Sequence, residues 1–160
     1  MQTLEKRGLT VIELLVVIGF LAVLFGLVGA NLLGLRRQLT LEGAANTFSQ
    51  DVQTCRTNAL SWGDNCRIRI LDPTSYVMER GAGPGSYSIV LTRSFPAGIR
   101  FANVGGGAWL EFNPRTLLSS SPGFPSVGGG VVAPEVRITD GTKTVRLVLS
   151  MTGAVKTAMQ

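Results

Sequence analysis

One stretch of this chain limits everything else it can do. From Leu9 to Leu35 the sequence is almost wholly apolar, and the single charge in it is Glu13. As a helix rising 1.5 Å per residue the run spans about 40 Å, more than the ~30 Å of a hydrocarbon core. It is too long for the apolar region of a secretory signal peptide, and no Ala-x-Ala cleavage site follows it. The plain reading is a membrane anchor whose N-terminus is held in the cytoplasm by Lys6 and Arg7. Two residues do not fit a plain anchor. Gly8 stands at the junction of the polar leader and the apolar run, and Glu13 lies inside the run. An acidic side chain at the centre of a membrane helix costs about 2.5–3.5 kcal/mol, so something must compensate Glu13.

The segment Arg7-Gly8-Leu9-Thr10-Val11-Ile12-Glu13-Leu14-Leu15-Val16-Val17-Ile18 resembles the N-terminus of type IV pilins and pseudopilins. The resemblance implies that a prepilin peptidase cuts after Gly8 and methylates the new amine on Leu9, a position where the family most often has phenylalanine. Residues 1–8 are then a leader peptide and 9–35 a transmembrane helix that later forms filament core. Cleavage supplies a physical partner for Glu13. It creates an α-amine with a reference pKa of about 7.7–8.0, positively charged and able to pair with a carboxylate where the dielectric is low. Glu13 is thus the expected assembly residue.

Beyond Arg36-Arg37, which mark the far interface, the helical pattern continues through residues 36–63. Leu41, Ala45, Phe48, Val52, Cys55 and Ala59 recur at alternating spacings of four and three, the stripe of an amphipathic helix. The stripe is expected to pack on the chain's own sheet, a partner-binding surface being the alternative. Gly63-Asp64 is the stop signal. Cys55 and Cys66 flank this end. In an oxidising compartment a bridge between them is the favoured reading, and two buried free thiols are the alternative.

After Cys66 the period becomes alternating, and residues 64–160 read as a β-rich domain. Strands are expected at Cys66 to Ile70, Tyr76 to Arg80, Tyr87 to Arg93, Ile99 to Asn103, Ala108 to Phe112, Val136 to Thr139, Thr144 to Leu149 and Ala154 to Thr157. Turns are expected at Asp72-Pro73, Asp140-Gly141 and Thr152-Gly153, and a long Ser/Gly/Pro loop at residues 113–130. The class is α+β: one long N-terminal helix, membrane-spanning in its first half, packed on two antiparallel sheets. Gly81-Ala-Gly-Pro-Gly85 has the glycines of a phosphate loop, but no helix pattern follows it. The chain has no histidine, no Gly-x-Ser-x-Gly and no recognisable pair of carboxylates. An enzyme is not expected, and neither is a catalytic residue, a metal or a cofactor.

The C-terminal half carries a second, looser likeness. Leu110-Glu-Phe-Asn-Pro114, the segment from Val136 to Ser150, and Gly153-Ala-Val-Lys156 are similar to the GspH/FimT group of minor pseudopilins and minor pilins. That resemblance implies a structural subunit of a type II secretion system or a type IV pilus. Its partners would be other pilins or pseudopilins through the N-terminal helix, the prepilin peptidase, an inner-membrane assembly platform, and membrane lipid before assembly. Its place would be the bacterial inner membrane as a single-pass protein, N-terminus cytoplasmic and C-terminal domain periplasmic, and then the filament. The alternative function is a DNA receptor at a pilus tip. Some relatives used in DNA uptake have a Gly-Arg-x-Arg motif where this chain has Gly153-Ala-Val-Lys156. Arg137, Lys143, Arg146 and Lys156 would form a DNA-binding stripe if their strands are neighbours; arginines on a solvated sheet face are the plainer account.

Overall fold

The computed structural model describes residues 10–81, 85–115, 117–125, 133–150 and 155–159, with the backbone alone at 27–33, 120, 155–157 and 159. Gly8, Leu9 and the Thr152-Gly153 turn lie outside the described residues. The fold is α+β, a long helix followed by two antiparallel sheets.

Helix α1 runs Val11–Trp62, 52 residues. Its start is a capping box. The Thr10 amide donates to Glu13 Oε2 (3.2 Å), and the Glu13 amide donates to Thr10 Oγ1 (3.3 Å). Its end is the expected glycine, Gly63, which at φ 67° closes the last turn in the left-handed region. The chain divides into two compact units between Arg37 and Gln38.

In the first unit the described apolar side chains are exposed on every side of the helix, from 44% at Leu21 and Leu24 to 77% at Val11. The first continuous run of those side chains is Val11 to Gly26, about 24 Å of helix at 1.5 Å per residue, and Leu35 beyond it is 52% exposed. Among the described residues no helix is long and apolar enough to cross a membrane.

The second unit buries its own core. Leu41, Ala45, Phe48, Val52, Cys55 and Ala59 are all at most 1% exposed, so the stripe packs inward on its own sheets as expected. The strands are β1 (Cys66–Asp72), β2 (Ser75–Gly81), β3 (Tyr87–Ser94), β4 (Arg100–Phe101), β5 (Trp109–Phe112), β6 (Leu118–Ser120), β7 (Glu135–Thr139), β8 (Thr144–Leu149) and β9 (Val155–Met159). They form one sheet ordered β3-β2-β1-β5-β6 and another ordered β4-β7-β8-β9. The β1–β2 hairpin turns where expected: Asp72 Oδ1 accepts from the Thr74 amide and hydroxyl, both at 2.7 Å. A bond from the Ser75 hydroxyl, followed by those from the Thr74 hydroxyl and amide, holds the Asp72 carboxyl down at about 2. The Asp140-Gly141 turn is built alike, with Gly141 at φ 91° and the Lys143 and Thr142 amides donating to Asp140 Oδ1.

Two expectations are corrected here. The fourth strand, expected from Ile99 to Asn103, is the two-residue β4. The long loop is interrupted by β6, which no periodicity marks because it is only three residues long. Asn113 makes β6 possible. Its Oδ1 accepts from the Arg115 and Leu117 amides (3.0 and 3.2 Å), folding the chain back onto β5.

The core is continuous from the helix into both sheets. At its centre Phe48 lies edge-on to Tyr76 (5.1 Å between centroids) and to Phe101 (5.4 Å), with Phe95 4.8 Å from Phe101. One helix side chain therefore touches a ring from each sheet.

Candidate functional site

Of the residues expected to act at the N-terminus, Glu13 alone is described. Its Oε2 accepts from both the amide and the hydroxyl of Thr10. A carboxylate in the first turn also faces the positive end of the helix dipole. Glu13 thus has a role within its own chain, since a helix start leaves backbone N–H groups without intrahelical partners. The sequence pattern Thr-x-x-Glu that marks a capping box was legible at Thr10 to Glu13.

Cys55 and Cys66 form a disulfide with Cα atoms 5.5 Å apart. It fastens the last turns of α1 to the first residue of β1. Both residues are 0% exposed. The alternative of two free thiols is therefore set aside, and the cysteines serve as bridge and as packing at once.

Of the basic set, Arg137, Arg146 and Lys156 fall on the second sheet and Lys143 in its β7–β8 turn. Cross-strand partners are Arg137 with Arg146, Arg146 with Ala158, and Val148 with Lys156, so β7, β8 and β9 are neighbours as the stripe requires. Lys156 shares a row with Val148 and Glu135, two residues along the strands from the row of the two arginines. The guanidiniums are not free, however. Arg137 Nε donates to Glu135 Oε1 (2.5 Å) and Arg146 Nη2 to Glu135 Oε2 (2.9 Å). The Arg146 bond, with that of Arg137, holds the buried Glu135 carboxyl below its usual value against the opposing effect of burial. Lys143 Nζ donates to Gln38 Oε1 at 2.8 Å, tying the β7–β8 turn to the helix.

The first sheet repeats this device on its outer face. Arg67 Nε (2.5 Å) and Arg69 Nη2 (2.6 Å) both donate to Glu79, whose side chain is 3% exposed. Burial pushes Glu79 upward, and the hydrogen bonds from Arg69 and Arg67 more than reverse it, leaving the carboxyl below its ordinary value. The Arg67 guanidinium also lies 3.4 Å from the centroid of the Tyr87 ring, and the Tyr87 hydroxyl donates to Glu111 Oε2 (2.6 Å). A third buried carboxylate, Asp51, accepts from the Tyr76 hydroxyl (2.7 Å) and from Arg93 Nε (3.2 Å). Burial and that bond push the Tyr76 phenol above its ordinary range.

The alternating period of Cys66 to Ile70 turns Arg67 and Arg69 to the outer face, but no periodicity marks the carboxylate they hold. The signal existed. The Asp72–Ser75 turn sets the hairpin register, which puts Glu79 opposite Arg67 and Val77 opposite Arg69.

Chemically these clusters are closed. Each carboxylate is paired with its own guanidinium or phenol partners, and Arg146 Nε is left buried without one; the pattern is one of internal cross-ties and not of a site awaiting substrate. Among the described residues no group of carboxylates and thiols is arranged to hold a metal ion. The described depressions are shallow. The one lined by Asp64, Asn65, Gly81, Tyr87 and Pro114 encloses about 310 Å³, and its carboxylate is already paired with Arg80 at 2.7 Å. No family model, curated protein or solved structure matches the chain. The chain's own surfaces are what point to a function. The most unusual of these is the exposed apolar start of α1.

Proposed function

We propose that this chain is a minor pilin or pseudopilin, a structural subunit of a type IV pilus or a type II secretion system. On this reading a prepilin peptidase removes residues 1–8 and methylates the amine of Leu9. The segment 9–35 lies in the inner membrane until it passes into a filament, and the β-rich domain is exported. The observation that carries the proposal is the first half of α1. Its apolar side chains are exposed all round, while the second unit of the same chain fully buries its own stripe. A helix apolar on every face needs lipid or other helices around it. The Leu9–Leu35 run is long enough in sequence to span a bilayer. The disulfide adds support, because such bonds persist in oxidising compartments.

The role is architectural: the membrane helix supplies the contacts, and the cross-tied domain supplies a rigid exported body. DNA reception has less support, because Glu135 occupies both arginines that the stripe relies on. Intact-mass analysis tests the proposal. Assembled protein is expected to begin at Leu9 and carry one added methyl group, and Gly8→Leu is expected to leave the leader attached. Assembled material that retains Met1 would overturn it.

A further inference from the structure

The outer face of the second sheet carries a surplus of positive charge that its own chain does not neutralise. Val136, Ile138, Val145 and Leu147 are buried in the core, so the residues alternating with them, from Glu135 to Thr139 and from Thr144 to Val148, lie on the opposite face. Cross-strand partners share a face. Three rows follow: Arg100 with Thr139 and Thr144, then Arg137 with Arg146 and Ala158, then Glu135 with Val148 and Lys156. The described part of the face therefore holds four cations and one carboxylate. On the first sheet the outer face sets Arg67 and Arg69 against Glu79 and Glu111, and the charges cancel.

The donors of this face are also left open. Arg100 is exposed, and its side chain has no partner among the described residues. Arg137 gives Glu135 only its Nε and is 47% exposed, which leaves both Nη groups of its five-donor fork to solvent. Strand order then arranges the cations. In the order β4-β7-β8-β9, with strands about 4.8 Å apart and rows about 6.7 Å apart, Arg100, Arg137, Arg146 and Lys156 follow one diagonal about 20 Å long. Successive steps along it are about 8, 5 and 8 Å by the same spacings. Glu135 lies to one side of the diagonal, against Arg137 and Arg146.

We infer that this diagonal docks an extended acidic segment of a partner polypeptide, with carboxylates at alternate positions. Charge sets the sign of the partner, since a face of one sign draws the opposite sign to it. Spacing sets its form. An extended chain repeats its side chains on one face about every 6.7 Å, so four alternate acidic residues span about 20 Å and run with the four cations. The open Nη groups of Arg137 suit a carboxylate, which a guanidinium holds through two parallel bonds. Single-stranded nucleic acid is the other polyanion of comparable spacing, and its binding rests in addition on aromatic side chains against which bases stack. The described face offers none: beside its charges it holds only Thr139, Thr144, Val148 and Ala158. The inference needs the sheet register and the charges alone, and does not depend on the pilin reading.

The test uses the full-length chain in micelles of an uncharged detergent and reads fluorescence anisotropy of labelled probes. The first probe is a capped peptide of four Glu-Thr repeats. The second has the same composition with its four glutamates in one block, and the third is a five-nucleotide oligothymidylate. The alternating peptide is expected to bind at least threefold more tightly than either, and more weakly as salt rises. Arg100→Ser with Lys156→Ser is expected to lower that affinity at least tenfold. Neither residue is in the Glu135 ties, so the sheet is left intact. Arg115→Ser, an exposed cation off the face, is expected to change it less than twofold. Arg100→Glu with Lys156→Glu is expected to lose the acidic peptide and to bind four Lys-Thr repeats, a gain that a misfolded variant would not show. Equal affinity for the alternating and block peptides would overturn the inference, as would equal losses at Arg115 and at the Arg100–Lys156 pair. Tighter binding of the oligothymidylate would replace the polypeptide partner with a nucleic-acid strand.

Discussion

Glu79 shows how a single residue ties this domain together. Its carboxylate is enclosed on the outer face of a sheet, a position that would be costly to a lone charge, and two arginines from the neighbouring strand neutralise it. Removing one member of a buried pair strands the others, so Glu79→Gln is expected to cost about 3 kcal/mol at neutral pH, read by urea unfolding. The pH dependence has a definite sign. The folded carboxyl titrates below its unfolded value, about 4.3 for glutamate. Its stabilising contribution is complete above that value and disappears as pH falls through the folded pKa. The gap between wild type and Glu79→Gln is therefore expected to close below about pH 4. Glu135 is also lowered and works in the same direction, so the variant retains part of the acid dependence.

At the scale of elements, α1 and its attachment decide the stability of the second unit. Phe48 is fully buried and contacts aromatic rings from both sheets. Phe48→Ala is expected to cost about 3–5 kcal/mol, measured by denaturant titration, because the rings around it cannot collapse into the space. The bridge acts at the other end of the same stripe. It closes a short segment, 11 residues of sequence separation, and its loss in Cys55→Ser with Cys66→Ser is expected to cost about 2–3 kcal/mol. Non-reducing peptide mapping of exported protein is expected to link the two peptides, and neither cysteine is expected to react with an alkylating agent until the protein is reduced and unfolded. Two thiols freely alkylated in the exported protein would count against the bridge.

On the scale of the whole molecule, the question is whether Glu13 serves its own helix or a neighbour. The capping box is an own-chain role. Assembly is a further one under the proposed function: apolar helices slide past each other without penalty, whereas a buried charge pair has only one good register. Glu13→Gln separates the two, because glutamine also closes a capping box. The variant is expected to be exported, folded and cleaved after Gly8, yet to be lost from pull-downs with its partner subunits at matched expression. Recovery at wild-type levels would reduce Glu13 to a cap.

The sequence by itself determined the elements whose signals are local. The helix end follows from Gly63, the buried stripe from its spacing, and the hairpin turns from Asp72 and Asp140. These depend on backbone geometry and periodicity, which neighbouring residues dictate. Beyond the Arg67–Glu79 pairing that the β1–β2 turn sets, only the tertiary structure decided which charges meet and how deeply they are enclosed. Glu79 and Glu135 look like ordinary surface residues of alternating strands, and Asp51 like a polar helix position. Their burial depends on which strands pair and in what register, and on what the helix lies against. The same holds for β6, too short to carry a period of its own, which exists because Asn113 turns the chain back onto β5.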